Sequence, residues 1–341
     1  MRKLLKLLLG KSLVEKCRLH AKSRDEAQKL HDTYAHDLDL FRRFASPHRD
    51  FKQVESRLAF VVMLYHSLEK GLALKNPRPG FGREKAEMLI DQLEYLDQVE
   101  RKDSRYFSGL MVIQRWLEWN QQHGKDFPDL AARVDDIDLT AAAEDTQWRI
   151  GGVSTIRRED IVDAIQQGPT SFMGSRHSIR QFSDEPVDIE LIKEAIHLAQ
   201  TSPSLCNRQS AHVYVISRGE LMTKAMECQG GNRGFGEQVD KLLVITSELG
   251  CFLSVGERNQ CWVEGGLFAM ALILGLHSKG LGTCCLNWAK EPTEDREIHD
   301  LVGIPDDQRV VMMIAVGSLP EEFRITHSPR RRLDEIMHRR I

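Results

Sequence analysis

The sequence has no large excess of charge of either sign, no regular cysteine pattern and no dinucleotide-binding glycine fingerprint. Its 341 residues carry a formal net charge of −3, which gives no reason to expect general nucleic-acid binding. Seven cysteines, an odd number, have the spacings of neither a disulfide framework nor a CxxC metal site. Residues 231–236 read GNRGFG, whose spacing is not GxGxxG. These absences favour a protein of the reducing cytoplasm with no structural metal, no nucleic-acid partner and no Rossmann domain.

The N-terminus is basic and leucine-rich but lacks a long apolar run. Lys6 and Lys11 interrupt the leucines, so the stretch is too short to span a bilayer, and no small-residue cleavage site follows it. We therefore expect no signal peptide. Residues 1–16 have two interpretations: a helix packed against its own domain, which we favour, and a basic amphipathic helix in peripheral contact with a membrane.

The length suggests two domains, and the residue pattern changes near position 150. Residues 1–150 are predicted to be a helical region, because apolar residues recur at three-and-four spacing over 26–44, 51–74, 83–99 and 106–122. An acidic segment, 135–145, leads into Gly151 and Gly152, which we interpret as a linker to a second domain at 151–341.

The second domain is predicted to be α+β. Helices are expected over 160–166 and from Asp188, a plausible N-cap, to about 201. β-branched or apolar runs predict strands at 212–217, 241–246 and 309–316. A long apolar helix is expected over 261–278, where three glycines indicate close backbone packing, either within the chain or against another subunit.

Residues 176–182, RHSIRQF, place two arginines and a serine within five positions. Arginine presents a rigid fork of donors that matches phosphate oxygens, and serine adds a neutral donor. The segment can therefore be a phosphate-binding cradle, or simply a solvated basic turn.

Three further motifs follow, each of which also has a purely structural interpretation. Residues 201–209, TSPSLCNRQ, form a polar loop before a strand, and can bind a planar heterocycle or only stop a helix. Residues 280–288, GLGTCCLNW, are a glycine turn into a short strand, which allows a backbone to approach a ligand. Residues 327–333, HSPRRRL, are either a solvated tail or a second arginine group that converges on the same dianion.

From about residue 170 onward, the order and spacing of these four motifs resemble the FMN-dependent nitroreductase family. The resemblance implies a nitroreductase-like fold, a central mixed but mainly antiparallel sheet flanked by helices, which here follows an all-helical region. It also implies a cytoplasmic homodimeric flavoprotein with FMN at the subunit interface.

The resemblance assigns FMN-binding roles to individual residues. Arg176, His177, Ser178, Arg330 and Arg332 would hold the FMN phosphate. Arg180 and, less securely, Asn232 would lie near the pyrimidine edge of the flavin. Residues of the other subunit would reach FMN through Pro203, Ser204, Leu205 and Asn207. The strand along the ring would contribute Cys285, Leu286 and Asn287, with a backbone N–H near Asn287 contacting flavin N5.

Two departures from the family pattern put the substrate face in doubt. Many members continue the polar loop as QPW, where this chain has Gln209, Ser210 and Ala211. A common glutamate of the ring-contacting strand is Asn287 here.

The resemblance implies an FMN-dependent oxidoreductase that moves a hydride in ping-pong fashion from NAD(P)H, through flavin N5, to a small or conjugated acceptor. A nitro compound, a quinone or a biosynthetic intermediate would serve as acceptor, and no side chain would act as a nucleophile. The alternative is a non-catalytic flavin-binding scaffold whose helical half docks a partner or a membrane surface.

One segment of the helical region, 65–71 or YHSLEKG, has two interpretations. His66, Glu69 and Lys70 can form an intrahelical polar face that Gly71 ends. They can instead cover the flavin pocket and select a substrate.

Overall fold

A computed structural model describes residues 23–35, 38–39, 51, 54–137, 151–205, 208–252 and 255–340. Several expectations lie outside these residues, among them those for residues 1–16 and for Asn207. The described residues divide into two compact units. One takes in those up to Arg57 together with Phe252–Asn259, and the other takes in Leu58–Cys251 and Gln260–Ile341. In the first unit, residues 23–35 are helical, as the apolar spacing predicts, and Lys29 pairs with Asp25 at 2.7 Å.

The second unit begins with helices, and each predicted helix in this part is confirmed within a few residues. They are α1 (Val54–Leu72), α2 (Arg83–Gln98), α3 (Ser104–Gln122) and α4 (Pro128–Asp135). Helix α4 was not predicted. Helix α1 continues past Gly71 to Leu72, so Gly71 is not a cap. A methyl group at Gly71 would collide with the ring of Phe81, so this glycine permits close packing on the following loop.

The remaining elements alternate helices and strands, as the change in residue pattern predicts. They are β1 (Val153–Arg157), α5 (Arg158–Gln166), α6 (Pro169–Gly174), α7 (Ile189–Ala199), β2 (Ala211–Ser217), α8 (Glu220–Gln229), β3 (Lys241–Glu248), α9 (Gln260–Ser278), β4 (Leu281–Asn287), α10 (Pro292–Val302), β5 (Gln308–Ser318), β6 (Glu322–Thr326) and α11 (Leu333–Ile336). Asp188 caps α7, because its carboxylate accepts from the backbone N–H of Glu190 at 3.0 Å.

The central sheet has the strand order β2-β3-β5-β4, and all its neighbouring pairs are antiparallel. Alternate residues of β3 pack into different hydrophobic clusters. Leu242 and Val244 belong to one cluster, and Leu243 and Ile245 belong to the other. The sheet is therefore buried on both faces, which explains why its inner strands are continuous apolar runs. This architecture confirms the predicted α+β class with a mainly antiparallel sheet flanked by helices.

A second sheet contains only β1 and β6, which pair antiparallel from Val153 with Thr326 to Arg157 with Glu322. The sequence interpretation of Gly151 and Gly152 as a linker missed that β1 begins directly after them. The domain boundary between residues 150 and 151 stays a prediction. The described residues on both sides of it belong to the same compact unit, so the division into units does not mark this boundary.

Two glycines of α9 allow close packing against other parts of the same chain. A side chain at Gly265 would meet Val311, and one at Gly275 would meet the backbone of Ala195 in α7. Helix α9 is long and apolar enough to cross a membrane by length and composition alone, but 56% of its most apolar window is buried inside the protein. Core helices of folded domains pass the same test.

Candidate cofactor site

The RHSIRQF segment lies along the outer edge of β4. Ser178 forms a parallel bridge with Thr283, and the N–H of Ile179 donates to the carbonyl of Thr283 at 2.8 Å. Helix α6 precedes it and is fixed at its end, where the Ser175 hydroxyl lies 2.9 Å from Nε2 of His277. Backbone pairing therefore sets the positions of Arg176 to Arg180 relative to the strand.

A cluster of cationic side chains surrounds His177. The pKa of His177 is lowered to about 4, first by burial and then by the charges of Arg176, His277, Arg330 and His327. The charges of Arg176 and Arg330 both act on His177, so three of the predicted phosphate ligands share one neighbourhood. Because burial and positive charge both disfavour a protonated imidazole, an anion placed here would relieve the repulsion.

The tail that carries Arg330 is attached to the helical region. Arg115 of α3 donates a hydrogen bond to the carbonyl of Gly151 and lies 3.2 Å from Nδ1 of His327. Further along, the hydroxyl of Ser104 donates to Glu335 of α11 at 2.9 Å. These contacts hold residues 327–335 against α3, and so position Arg330 near His177.

Arg332, the other predicted phosphate ligand of the tail, already has a carboxylate partner. Its guanidinium donates to both oxygens of Asp334, each at 2.8 Å. Arg330 is exposed and donates to the carbonyl of Ser328. Of the two, Arg330 is the one that the structure brings to the cluster.

Arg180 occupies a different environment from Arg176. Its side chain is only 8% exposed, and its guanidinium donates to the carbonyl of Ser178 at 3.4 Å. Burial and then the charge of Arg180 lower the pKa of Lys70. In β4, burial raises the pKa of Cys284, and the charge of Arg180 opposes that rise. Arg180 therefore lies between α1 and the strand, inside the protein rather than on a surface turn.

The second half of strand β4 alternates between buried and exposed residues. Cys284 and Leu286 face the core, whereas Cys285 and Asn287 are exposed. The carbonyl of Asn287 accepts from Nε2 of Gln229 at 3.1 Å, which ties the end of β4 to α8. Exposure is therefore limited to the end of β4, since Thr283, which pairs with Ser178, is buried. Leu286, predicted as a flavin contact, turns its side chain into the core, so it offers only its backbone.

Asn232 is held by the end of α8. Its Nδ2 donates to the carbonyl of Met226 at 2.5 Å. Its neighbours Gly231 and Arg233, not Asn232 itself, line the pocket that contains Arg180. The expected role of Asn232 beside Arg180 stays a prediction.

The polar loop after α7 is organised around a buried carboxylate that the sequence interpretation missed. Glu264 of α9 accepts from the backbone N–H of Leu205 at 2.7 Å and from the hydroxyl of Ser210 at 2.9 Å. Pro203, Ser204 and Glu264 line a small cavity. The described contacts of this loop join it to α9, to the start of β2 and, through Arg208, to the carbonyl of Cys251 after β3.

Sequence reasoning considered Lys70 as part of a cover over the flavin pocket, but it did not bring Lys85 and Arg233 to the same place. Lys70 of α1, Lys85 of α2 and Arg233 line an open pocket together with Arg180. The turn after α1 is fixed there, because Nε2 of Gln181 donates to the carbonyl of Ala73 at 2.7 Å. The single signal in the sequence was the polar character of 66–70 at the end of an otherwise apolar helix.

The family model of the nitroreductases matches residues 173–232 and 254–318. Residues 173–318 carry a nitroreductase-family domain. Most predicted FMN ligands lie within the two matched stretches of this nitroreductase domain, whereas Arg330 and Arg332 lie beyond its end. Lys70 and Lys85 precede it by about a hundred residues.

Similar proteins are known from archaea and bacteria. A protein of Methanothermobacter thermautotrophicus, whose assigned name is NADH dehydrogenase/NAD(P)H nitroreductase, is 26% identical over 166 residues, which are 48% of this chain and 78% of that protein. The solved FMN-dependent nitroreductase of Clostridium difficile R20291 is 20% identical, with a TM-score of 0.39, over 44% of this chain and 87% of that one. The nitroreductase-family protein of Streptococcus pneumoniae TIGR4 is 20% identical, with a TM-score of 0.41, over 50% of this chain and 99% of that one.

Proposed function

We propose that this protein is an FMN-dependent oxidoreductase that passes electrons from NAD(P)H to a small or conjugated acceptor. The observation that carries the proposal is that Arg176, His177 and Arg330 share one neighbourhood beside β4, a strand of the nitroreductase-family domain. A group of cations around a neutral imidazole and a serine is a suitable donor set for a phosphate.

Each residue of the cluster has a distinct role in this proposal. Arg176 and Arg330 would neutralise the phosphate dianion, while Ser178 and His177 would donate uncharged hydrogen bonds. Arg180, buried beside β4, would place a positive charge where negative charge accumulates on reduction. FMN supplies the redox chemistry when bound, and the chain contributes binding, orientation and electrostatics.

In this proposal, donor and acceptor would use the same face of the flavin in turn. The sequence contains no GxGxxG fingerprint, so NAD(P)H would bind as a visiting substrate without a domain of its own. A ping-pong order follows, in which the oxidised nicotinamide leaves before the acceptor enters.

The first test is FMN retention. Purified protein should be yellow, or become yellow when FMN is added, and the double variant Arg176→Ala/Arg330→Ala should lose the flavin on gel filtration. Arg296→Ala removes an exposed arginine of α10, paired with Asp306, and serves as the matched control. Colourless protein that stays colourless with FMN would overturn the proposal.

The second test separates a reductase from a scaffold. Anaerobic mixing of the yellow protein with NADH or NADPH should bleach the visible flavin absorbance, and an added quinone or nitro compound should restore it. A flavin that neither donor reduces would instead favour the non-catalytic scaffold.

We also propose that the protein is a homodimer that pairs through α9. Large apolar side chains are exposed along this helix, at Trp262, Val263, Leu267 and Met270, and Gly266 between them has open space around it. An apolar stripe of this kind is typical of an interface. Light scattering should give the mass of a dimer for the wild type and a smaller mass for Trp262→Arg/Leu267→Arg.

A further inference from the structure

A second cationic pocket includes Arg180 but none of the residues of the cluster around His177. It has a volume of about 320 Å³, and its charged lining side chains are Lys70, Lys85, Arg180 and Arg233. No acidic side chain lines it. Lys70 and Lys85 come from helices that precede the nitroreductase domain, and Arg233 lies just outside the matched stretches, so those stretches supply only Arg180.

The four cations have no carboxylate partner among the described residues. Lys85 donates to the hydroxyl of Ser67 at 2.5 Å, and Arg180 donates to a backbone carbonyl. Burying a charge is costly unless it is paired, yet Arg180 is almost fully buried and Lys70 is half-buried. Two such cations lining one pocket, without a carboxylate, favour the binding of an anion between them.

The charge state of Lys70 is consistent with this geometry. Its pKa is lowered, first by burial and then by the charges of Arg180 and Lys85. An anion bound between these side chains would favour the protonated amine and so be held more strongly.

We propose that this pocket binds an anionic group, a carboxylate or a phosphate, of the electron acceptor, and that Lys70 sets the preference for charged acceptors. The inference rests on the proposed oxidoreductase function and narrows its substrate class. It also connects the helical region with substrate selection, because α1 and α2 supply the two lysines of the pocket.

The backbone around the pocket is built to hold these lysines in place. Gly71 lies against Phe81 with no room for a side chain, which fixes the end of α1. Arg324 of β6 donates to the carbonyl of Lys75 at 2.6 Å, and so fastens the following turn to the C-terminal domain. Lys70 is thus presented by a rigid element, as a specificity residue requires.

The experiment compares three probes of similar shape: para-nitrobenzoate, para-nitrophenyl phosphate and the neutral para-nitrobenzamide. Isothermal titration calorimetry on FMN-loaded protein should show binding of one or both anions and much weaker binding of the amide. Lys70→Met should weaken anion binding about ten- to a hundredfold, the usual effect of losing a charge-assisted hydrogen bond. Lys70→Arg, which keeps the charge, should restore most of it.

The control and the kinetic arm use the same probes. Lys193→Met removes a lysine that is exposed on α7 and paired with Glu190, and it should leave anion affinity unchanged. In steady-state assays with NAD(P)H, Lys70→Met should reduce the ratio of kcat/KM for the nitrobenzoate over the nitrobenzamide by a similar factor, while Lys193→Met keeps that ratio.

Four outcomes would overturn the proposal. Equal affinity for anions and amide, or an equal loss in Lys193→Met, would show that the pocket does not recognise charge. Anions that bind only FMN-free protein would show that the pocket belongs to the flavin. An effect of Lys70→Met confined to the KM of NADPH would assign the pocket to the donor's phosphates. If no acceptor is reduced but the anions still bind through Lys70, the oxidoreductase function fails and the anion site stands.

Discussion

The carboxylate of Glu69 accepts a hydrogen bond from the backbone N–H of Gly152 at 3.0 Å. Glu69 belongs to α1 and is completely buried, while Gly152 directly precedes β1. Nδ1 of His66 lies 3.4 Å from the same carboxylate. The bond therefore fastens the helical region to the strand that opens the C-terminal domain.

Replacing Glu69 should be strongly destabilising, because its loss leaves a buried N–H without an acceptor. We expect Glu69→Ala to lower the free energy of unfolding by about 2–3 kcal/mol, and Glu69→Gln, which keeps an acceptor oxygen, to lower it by less. Urea denaturation measures both. The control is Glu87→Ala, an exposed residue paired with Arg83, for which we expect less than about 1 kcal/mol.

The lowered pKa of His177 predicts a dependence of stability on pH. The folded protein holds this imidazole at a pKa of about 4, against 6.5 for a free side chain, so the unfolded chain binds the proton more readily between these values. The contribution of neutral His177 is present above about pH 6.5 and is lost as the pH falls towards 4. The difference in stability between wild type and His177→Gln should therefore change over this window.

The matched control for His177 is His197→Gln, which alters an exposed histidine at the end of α7, outside the cluster. Phosphate or FMN bound beside Arg176 would raise the pKa of His177, since a nearby anion favours the imidazolium. NMR titration of the imidazole signals, with and without FMN, measures this directly. An unchanged pKa would contradict a phosphate site at His177.

Close packing at Gly71 predicts a steric effect. A methyl group there overlaps the ring of Phe81, and overpacking of this kind costs about 1–3 kcal/mol. Gly71→Ala should therefore lower the melting temperature, and the double variant Gly71→Ala/Phe81→Leu should recover part of the loss. Gly174→Ala is the control, because open space surrounds that glycine in α6.

The buried carboxylate of Glu264 predicts control of the loop at 202–205. Without it, the N–H of Leu205 and the hydroxyl of Ser210 lose their acceptor. We expect Glu264→Ala to cost about 2 kcal/mol of stability and to accelerate hydrogen exchange of the Leu205 amide. Glu220→Ala, on the exposed face of α8, should do neither. If the loop reaches FMN of the other subunit, Glu264→Ala should also weaken FMN binding in the dimer.

Several helices and strands of the second domain could be read from the sequence because their signals are local. Asp188 lies one residue before α7 and caps it, and residues 242–246 form a strand that is apolar or β-branched at every position. The motifs that identify the nitroreductase domain are equally local, since each is a stretch of fewer than ten residues. Their roles as FMN ligands stay predictions.

Contacts between distant segments could not be read in the same way. Strand β1 pairs with β6 at the other end of the domain, and five residues without alternation carry no signal of a partner. Helices α8 and α10 were missed, since each is short and mostly polar, and their identity depends on packing against the sheet.

The sequence by itself determined the class of the domain, the position of its arginine-rich segments and the amphipathic helices before it, because periodicity and capping depend on neighbouring residues. Only the tertiary structure decided that Arg330 joins Arg176 and His177 while Arg332 pairs with Asp334. It likewise decided that Lys70 and Lys85 meet Arg180 in one pocket. Charge acts through space, so the residues that share an anion are those that folding brings together, whatever their separation along the chain.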